Sequence, residues 1–314
     1  MTTTHVDVPS DFSQATGRIE LNDDGIGYVE SYDFSRANLS NESRIAAIST
    51  VASICYQSPK AAGSISLYNR LANESMGLPS SSFEFVPVLL KLDSTWLKTR
   101  DNHFNTADAA HFSKLLRLRL LNCFKYGESI LGEDDDSYLL TNLRALMADV
   151  GDQADQFFNT EEECAIIAKH FKVYQAKIDI ATRTQYIRHR VSWQELSRRY
   201  VSGKKSQFEF YISPKMQYQE STFVSGLGAD SLCEYEINTT RSIIRDCVSH
   251  YDAAIANGVK PEEARRILPQ NMYTTIWSAW QPSQLDSYLA LRTDKHTQVE
   301  HRELAEAMKT LRNN

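Results

Sequence analysis

From Phe171 to Tyr200 a strand, a capped helix and an arginine-rich turn follow one another without a linker, which leaves few folds open to this chain. Phe171 and Val173 alternate with polar positions on the way to Ile180, the period of a half-buried strand. Asp179 is a helix N-cap for Ile180 to Arg190, because its carboxylate can accept from amides that a first turn leaves unpaired. A polar turn comes next, and Phe208 to Ile212 resumes strand character before Ser213-Pro214. A domain built around this joint needs a sheet with helices packed on it.

The rest of the chain agrees. Residues 1 to about 22 read as a polar arm, and Gly25 to Tyr32 as a short strand after the turn Asn22-Asp23-Asp24-Gly25. Helices are expected over Glu42 to Ile54, capped by Ser40 or Asn41, and over Ser66 to Met76, stopped by Gly77-Leu78-Pro79. Ser82 to Leu90 reads as a strand that Pro87 confines to an edge or interrupts. From there to about Lys169 the pattern is mostly helical, with Ala107 to Phe124 the clearest segment and Glu133-Asp134-Asp135-Asp136 a solvated loop. Ser231 to Asn257 is a long helix ended by Gly258. A short helix from Pro261 to Leu268, a strand from Tyr273 to Trp280, and helices over Ser283 to Leu291 and Lys295 to Leu311 complete the chain. The expected fold is α+β and helix-rich with a small sheet. It divides into an arm over 1–22 and a single domain over 23–314, with a helical insertion at about 89–170.

Composition narrows the function. The five cysteines are scattered, with no CxxC pair, so neither a disulfide framework nor a zinc cage is expected, and a reducing cytoplasm fits. His103 and His111 lack a third ligand nearby, and no metal site is expected. The polar start, Met1 to Ser13, suggests no export signal, and no apolar run is long enough for a membrane span. A net charge of −6 argues against nucleic-acid binding. Against that average, Thr182 to Lys205 holds seven basic residues (Arg183, Arg188, Arg190, Arg198, Arg199, Lys204 and Lys205) and one acid, Glu195. Such a patch suits a small anionic ligand.

Helical spacing places Gln185, Arg188 and His189 on one face. Glu195, Ser197 and Arg199 alternate on the following turn, with Arg198 beside them. Guanidinium groups pair with phosphate oxygens, and Gln185 offers the donor and acceptor that reading a ring edge requires. Spacing alone leaves open a helix end whose arginines are merely solvated.

Arg188-His189-Arg190 followed by Glu195-Leu196-Ser197-Arg198-Arg199-Tyr200 resembles the signature of flavin-dependent thymidylate synthases. Gly258 to Thr274 and Leu289 to Ala305 resemble two further stretches of that family, in the same order, so that the likeness covers about Phe171 to Leu311 and, more weakly, Gly25 to Val88. The resemblance implies a thymidylate synthase-like fold and C5 methylation of dUMP, UMP or both. The carbon donor would be methylenetetrahydrofolate, with reduced FAD as hydride source and NADPH regenerating the flavin. It implies that Gln185, Arg188, Glu195, Ser197, Arg198, Arg199 and Arg265 hold the nucleotide, and that Arg292 activates the uracil. Ser81, Glu84, Arg188, His189, Arg190, Glu195, Gln281 and Ser287 would contact the flavin. It also implies a homotetramer with active sites between subunits.

The chain departs from the family in three places. Only six residues separate Arg190 from Ser197, one fewer than the signature's shorter spacing. Gln281-Pro282-Ser283 stands where the family has an Asn-x-Arg flavin contact, with Ser287 replacing a following Asn. A similar run, Asn142-Leu143-Arg144, occurs far from that position. A shortened turn could make room for a ribose 2′-hydroxyl, hence for UMP. The helices of the insertion are expected to pad the surface. The competing class is a non-catalytic nucleotide- or RNA-binding protein of the same fold. The acidic net charge and the lack of aromatics among the arginines speak against it.

Overall fold

The computed structural model describes residues 12–22, 24–58, 61–73, 79–92, 120–131, 137–213 and 229–313. Most of the Ala107 to Phe124 segment, His103, His111 and the Glu133–Asp136 run lie outside these residues. The fold is α+β, with two antiparallel sheets among the helices.

The larger sheet has five strands: β1 (Gly17–Leu21), β2 (Gly27–Tyr32), β6 (Lys172–Asp179), β8 (Tyr273–Trp280) and β7 (Ser192–Glu195), in that spatial order. β8 lies next to the edge and is buried along its whole length. Its side chains divide by alternation, Trp277 and Ala279 entering one core and Ile276 and Trp280 the other. On the second face lie α9 (Pro282–Arg292) and α10 (Val299–Asn313), which contribute Leu285, Tyr288, Leu289, Leu304 and Met308. The first face meets α1 (Asn41–Ser53), capped by Ser40, and the smaller sheet beyond it.

That smaller sheet overturns part of the sequence reading. β3 (Pro87–Leu92), β5 (Ser137–Asn142) and β4 (Glu128–Leu131) pair in the order β3-β5-β4; β3 overlaps the expected strand Ser82 to Leu90, but β4 and β5 lie in a stretch expected to be mostly helical. The run SYLLTN of β5 is buried on both faces, so it lacks the alternation that marks a half-buried strand. Nor is the described part of 89–170 surface padding, because Leu139, Leu140, Leu143 and Leu146 belong to the first core. Ser81–Phe85 is a 3-10 turn rather than the start of a strand, and Pro87 opens β3, an edge position that asks no ladder N–H of it.

Three smaller corrections follow. Gly17–Leu21, placed in the polar arm, is the outer strand paired to β2. Ser192–Glu195, read as turn, pairs with β8 and forms the edge of the sheet, where the ladder satisfies its backbone amides. Phe208 to Ile212 contributes only the bridge Phe210–Met272. No helix among the described residues is long and apolar enough to cross a membrane.

Candidate functional site

The site begins where β6 ends. Asp179, buried, accepts from the Thr182 amide at 3.0 Å and starts α6 (Ile180–Tyr186). The helix stops after two turns because Tyr186 is anchored. Its ring is fully buried, 4.6 Å from Trp193 and 5.5 Å from Tyr288, and its hydroxyl lies 2.9 Å from Ser278 Oγ. The chain then turns through Ile187 to Arg190 and returns as β7. That turn leaves Arg188 and Arg190 exposed, with Gln185 and His189 half-buried.

His189 is the pivot. Its Nε2 accepts from Nε of Arg292, in the last turn of α9, at 3.0 Å. An acceptor nitrogen must be unprotonated, so the imidazole is neutral with its proton on Nδ1. Burial first, and the Arg292 charge second, push its pKa down to about 4. Trp193 Nε1 donates to the His189 carbonyl at 3.1 Å and the Tyr288 ring stands edge-on at 4.8 Å. Beneath it lies His301, 1% exposed, with no partner for either ring nitrogen among the described residues. Burial, helped by Arg292 and His189, lowers its pKa to about 3. Arg292 therefore faces two neutral imidazoles, and no carboxylate is paired with it among the described residues.

The remaining cations divide into committed and available groups. Arg183 donates through Nε and Nη2 to one oxygen of Glu195, Oε2, and the other oxygen accepts from Thr274 Oγ1 at 3.1 Å. Arg198 is buried; it donates to the Ser206 carbonyl at 3.0 Å and lies over the Phe208 ring. Its role as placed is to fold the loop that follows. Arg199 is half exposed, with Glu262 only at 3.9 Å. Arg265, also exposed, bonds the Glu262 carbonyl at 3.4 Å, so the structure gathers Arg199 and Arg265 around one residue. Ser197 is half-buried, its amide donating to the Cys55 carbonyl at 3.3 Å.

The flavin-contacting residues that the resemblance implies scatter more widely. Ser81 is joined to the signature strand, since Gln194 Nε2 donates to its hydroxyl at 2.6 Å. Glu84 is paired with Arg144 at 2.6 Å. Gln281 is buried, and its amide donates to the carbonyls of Tyr126 at 2.7 Å and Leu140 at 3.3 Å. With Ser283, which bonds Glu128, it fastens the smaller sheet to α9. The replacement of the family's Asn-x-Arg thus has a visible structural use. Ser287 is exposed on α9. The sequence reading missed Gln194, Thr274 and His301. Thr274 and His301 lie in stretches that resemble the family and Gln194 inside the signature's turn, but only the path of the backbone shows that they reach the site.

The family model described as Thymidylate synthase complementing protein matches residues 166–313, just under half of the chain. Over those residues the chain is similar to that family. Among curated relatives, the flavin-dependent thymidylate synthase of Thermotoga neapolitana is 31% identical over 136 residues, covering 43% of this chain and 58% of its own length. That of Aquifex aeolicus is 31% identical over 144 residues, covering 45% of each chain. The chain thus spans about half the length of these relatives. Two crystal structures of the UMP/dUMP methylase PolB from Streptomyces cacaoi also align. The complex with 5-Br dUMP gives a TM-score of 0.39 at 19% identity, over 54% of this chain and 82% of that one. The complex with 5-Br UMP gives 0.38 at 23%, over 45% and 68%. Scores this low do not place the fold, which rests on the elements described above. Every residue of the His189–Arg292–His301 cluster lies within the matched residues, whereas Ser81, Glu84 and Arg144 lie outside them.

Proposed function

We propose that this protein is a methyltransferase that adds a one-carbon group to C5 of a uridine monophosphate, dUMP, UMP or both. It would draw the carbon from methylenetetrahydrofolate and the hydride from reduced FAD, with NADPH as the reductant of the flavin. One observation carries the reading: Arg292 meets the signature helix end through a neutral His189 at 3.0 Å, with no carboxylate paired to it. C5 of uracil becomes nucleophilic when electron density moves onto the ring, leaving negative charge at O4 and N3. A half-buried guanidinium fixed in advance stabilises that charge. His189 holds Arg292 through its Nε, so both terminal nitrogens remain for substrate. Because the imidazole stays neutral, it does not compete with the uracil for the role of anion.

The nucleotide phosphate would be held by Arg199 and Arg265, the exposed pair around Glu262, with the Ser197 hydroxyl beside them. Gln185 would read the ring edge. Glu195, tied to Arg183 and Thr274, would shape the pocket between nucleotide and flavin.

The residues present fit a flavin. Arg188 and Arg190 are exposed with no ion pair among the described residues, the donor set that a pyrophosphate requires. They would hold the FAD with Ser81, Glu84 and the ring of His189. A reduced flavin held there would supply the hydride needed to bring the transferred carbon to the methyl level. The protein would self-associate, as a homotetramer, and work in the cytoplasm. Membrane and nucleic acid have no part in this reading.

The test is direct. Protein purified from flavin-replete cells should be yellow. With methylenetetrahydrofolate and reductant it should convert dUMP or UMP to the 5-methyl product by mass spectrometry. Colourless protein that binds nucleotide without turnover would make it a binding protein instead. Strict rejection of UMP would remove the UMP branch of the proposal.

A further inference from the structure

The region outside the family-matched residues makes its own contact with the candidate cofactor site. Residues 79–85 carry Ser81 and Glu84, and this stretch would be a poor platform if held only by its own backbone, a 3-10 turn of five residues. It is instead clasped from two directions. From one side comes Arg144, on α4 (Leu143–Val150), which follows β5 without a break. Its Nε donates to the Pro79 carbonyl at 2.8 Å and its Nη1 to Glu84 Oε1 at 2.6 Å. A single planar guanidinium therefore ties both ends of the segment.

The base of Arg144 is rigid. Asn142 caps the helix through the Ala145 amide at 3.0 Å, the Leu143 amide donates to the Val86 carbonyl at 2.9 Å, and Leu143 and Leu146 are fully buried. From the other side Gln194, on β7, reaches Ser81. The Cys55 thiol donates to Gln194 Oε1 at 3.1 Å, which orients the amide so that its NH₂ faces the serine hydroxyl. Phe83 and Phe85, fully buried, hold the middle. The Arg144–Glu84 pair is only partly exposed, and neither Nη2 nor Oε2 has a partner among the described residues.

We propose that Arg144 is a positioning residue of the cofactor site, through which the region outside the family-matched residues sets the conformation of Pro79–Phe85 against the signature strand. This rests on the reading of Ser81 and Glu84 as flavin contacts. A group that orders a binding segment before the ligand arrives removes an ordering cost from the binding step. Lysine cannot replace it, since one ammonium has no fixed fork to span the Pro79 carbonyl and the Glu84 carboxylate.

The experiment compares full-length wild type with Arg144→Ala, Arg144→Lys and Glu84→Gln. Hydrogen–deuterium exchange is read over residues 79–86 without flavin, and FAD affinity by quenching of flavin fluorescence. In Arg144→Ala, exchange should rise at 79–86 and not over 172–179. FAD affinity should fall about tenfold, the size of one charge-assisted hydrogen bond, with dUMP affinity unchanged. Arg144→Lys should behave almost as poorly. Glu84→Gln, which keeps the acceptor and the fold, should show a smaller loss in both measurements and serves if Arg144→Ala does not fold. Unchanged exchange, or raised exchange with unchanged FAD affinity, overturns the proposal. Failure of the wild type itself to bind FAD overturns the flavin reading and this proposal with it, a result distinct from failure in the variants alone.

Discussion

The two sheets of this protein use their polar side chains in opposite ways. Around the smaller sheet they turn inward and complete the backbone. Arg44, wholly buried, donates to Asn38 and to the carbonyls of Ala154 and Phe157. Asn159 bonds the Pro87 carbonyl and the Leu89 amide, while Asp149 accepts from the amides of Asn122 and Cys123. Around the free edge of the larger sheet the cations stay outside. Arg188, Arg190, Arg199 and Arg265 are exposed, and Arg292 keeps its terminal nitrogens open. A buried polar group must find a protein partner, so polar residues in the first region report on assembly. An exposed cluster of like charge has no such duty, and marks where a ligand can bring the missing charge.

The largest expected effect tests the open side of this contrast. Arg292→Ala should lower turnover by about 10²–10³, the range for removing one preorganised donor. The His189 pKa, read by NMR titration, should rise from about 4 as the neighbouring cation goes, while burial keeps it below its ordinary 6.5. A wild-type rate would mean that exposure at this edge does not mark the chemistry.

Two neighbouring arginines then set the contrast within one turn. Arg199→Ala should weaken nucleotide binding by about 1.5–3 kcal/mol in calorimetry and leave the melting temperature alone. Arg198→Ala should do the reverse, because its guanidinium holds the Ser206 carbonyl and the Phe208 ring rather than facing a ligand. If both variants lost nucleotide affinity equally, the division into committed and available arginines would be wrong.

On the inward side, Gln281→Ala leaves the carbonyls of Tyr126 and Leu140 without that donor. The expected cost is about 1–3 kcal/mol in urea unfolding. Gly127 beside them admits no side chain, since a Cβ would strike the Cys123 carbonyl, so the joint has little room to repack. An unchanged midpoint would show that the two sheets do not depend on this fastening.

The smallest effect at neutral pH belongs to His301. With its pKa near 3 against an ordinary 6.5, the unfolded chain takes up a proton between those values that the folded chain refuses. Stability from this group is complete above pH 6.5 and declines as the pH falls toward 3. His301→Leu should therefore stay within about 1 kcal/mol of wild type at pH 7 and flatten the acid side of the stability profile. An acid slope equal to that of the wild type would remove His301 as its source.

Much of this was legible before any coordinates. Asp179 as a cap, the strand Tyr273–Trp280 and the closing helices follow from caps and periodicity, which are local signals. Three sequence stretches sufficed for the family resemblance. Of the smaller sheet only β3 was legible in part: β5, buried on both faces, carries no alternation, β4 has four residues, and β3 pairs with residues about fifty positions away. Arg144 stood out in the sequence only as a misplaced likeness, for nothing local connects it to Pro79 or Glu84.

Sequence alone settled which residue types cluster between Thr182 and Lys205, and hence that an anionic ligand suits this chain. It could not say which of those cations would be neutralised. Charge is a property of the residue, but availability depends on what the fold sets beside it. Glu195 reaching back to Arg183, loop carbonyls closing on Arg198, and a helix from the far end of the chain delivering Arg292 to His189 are all contacts between distant segments.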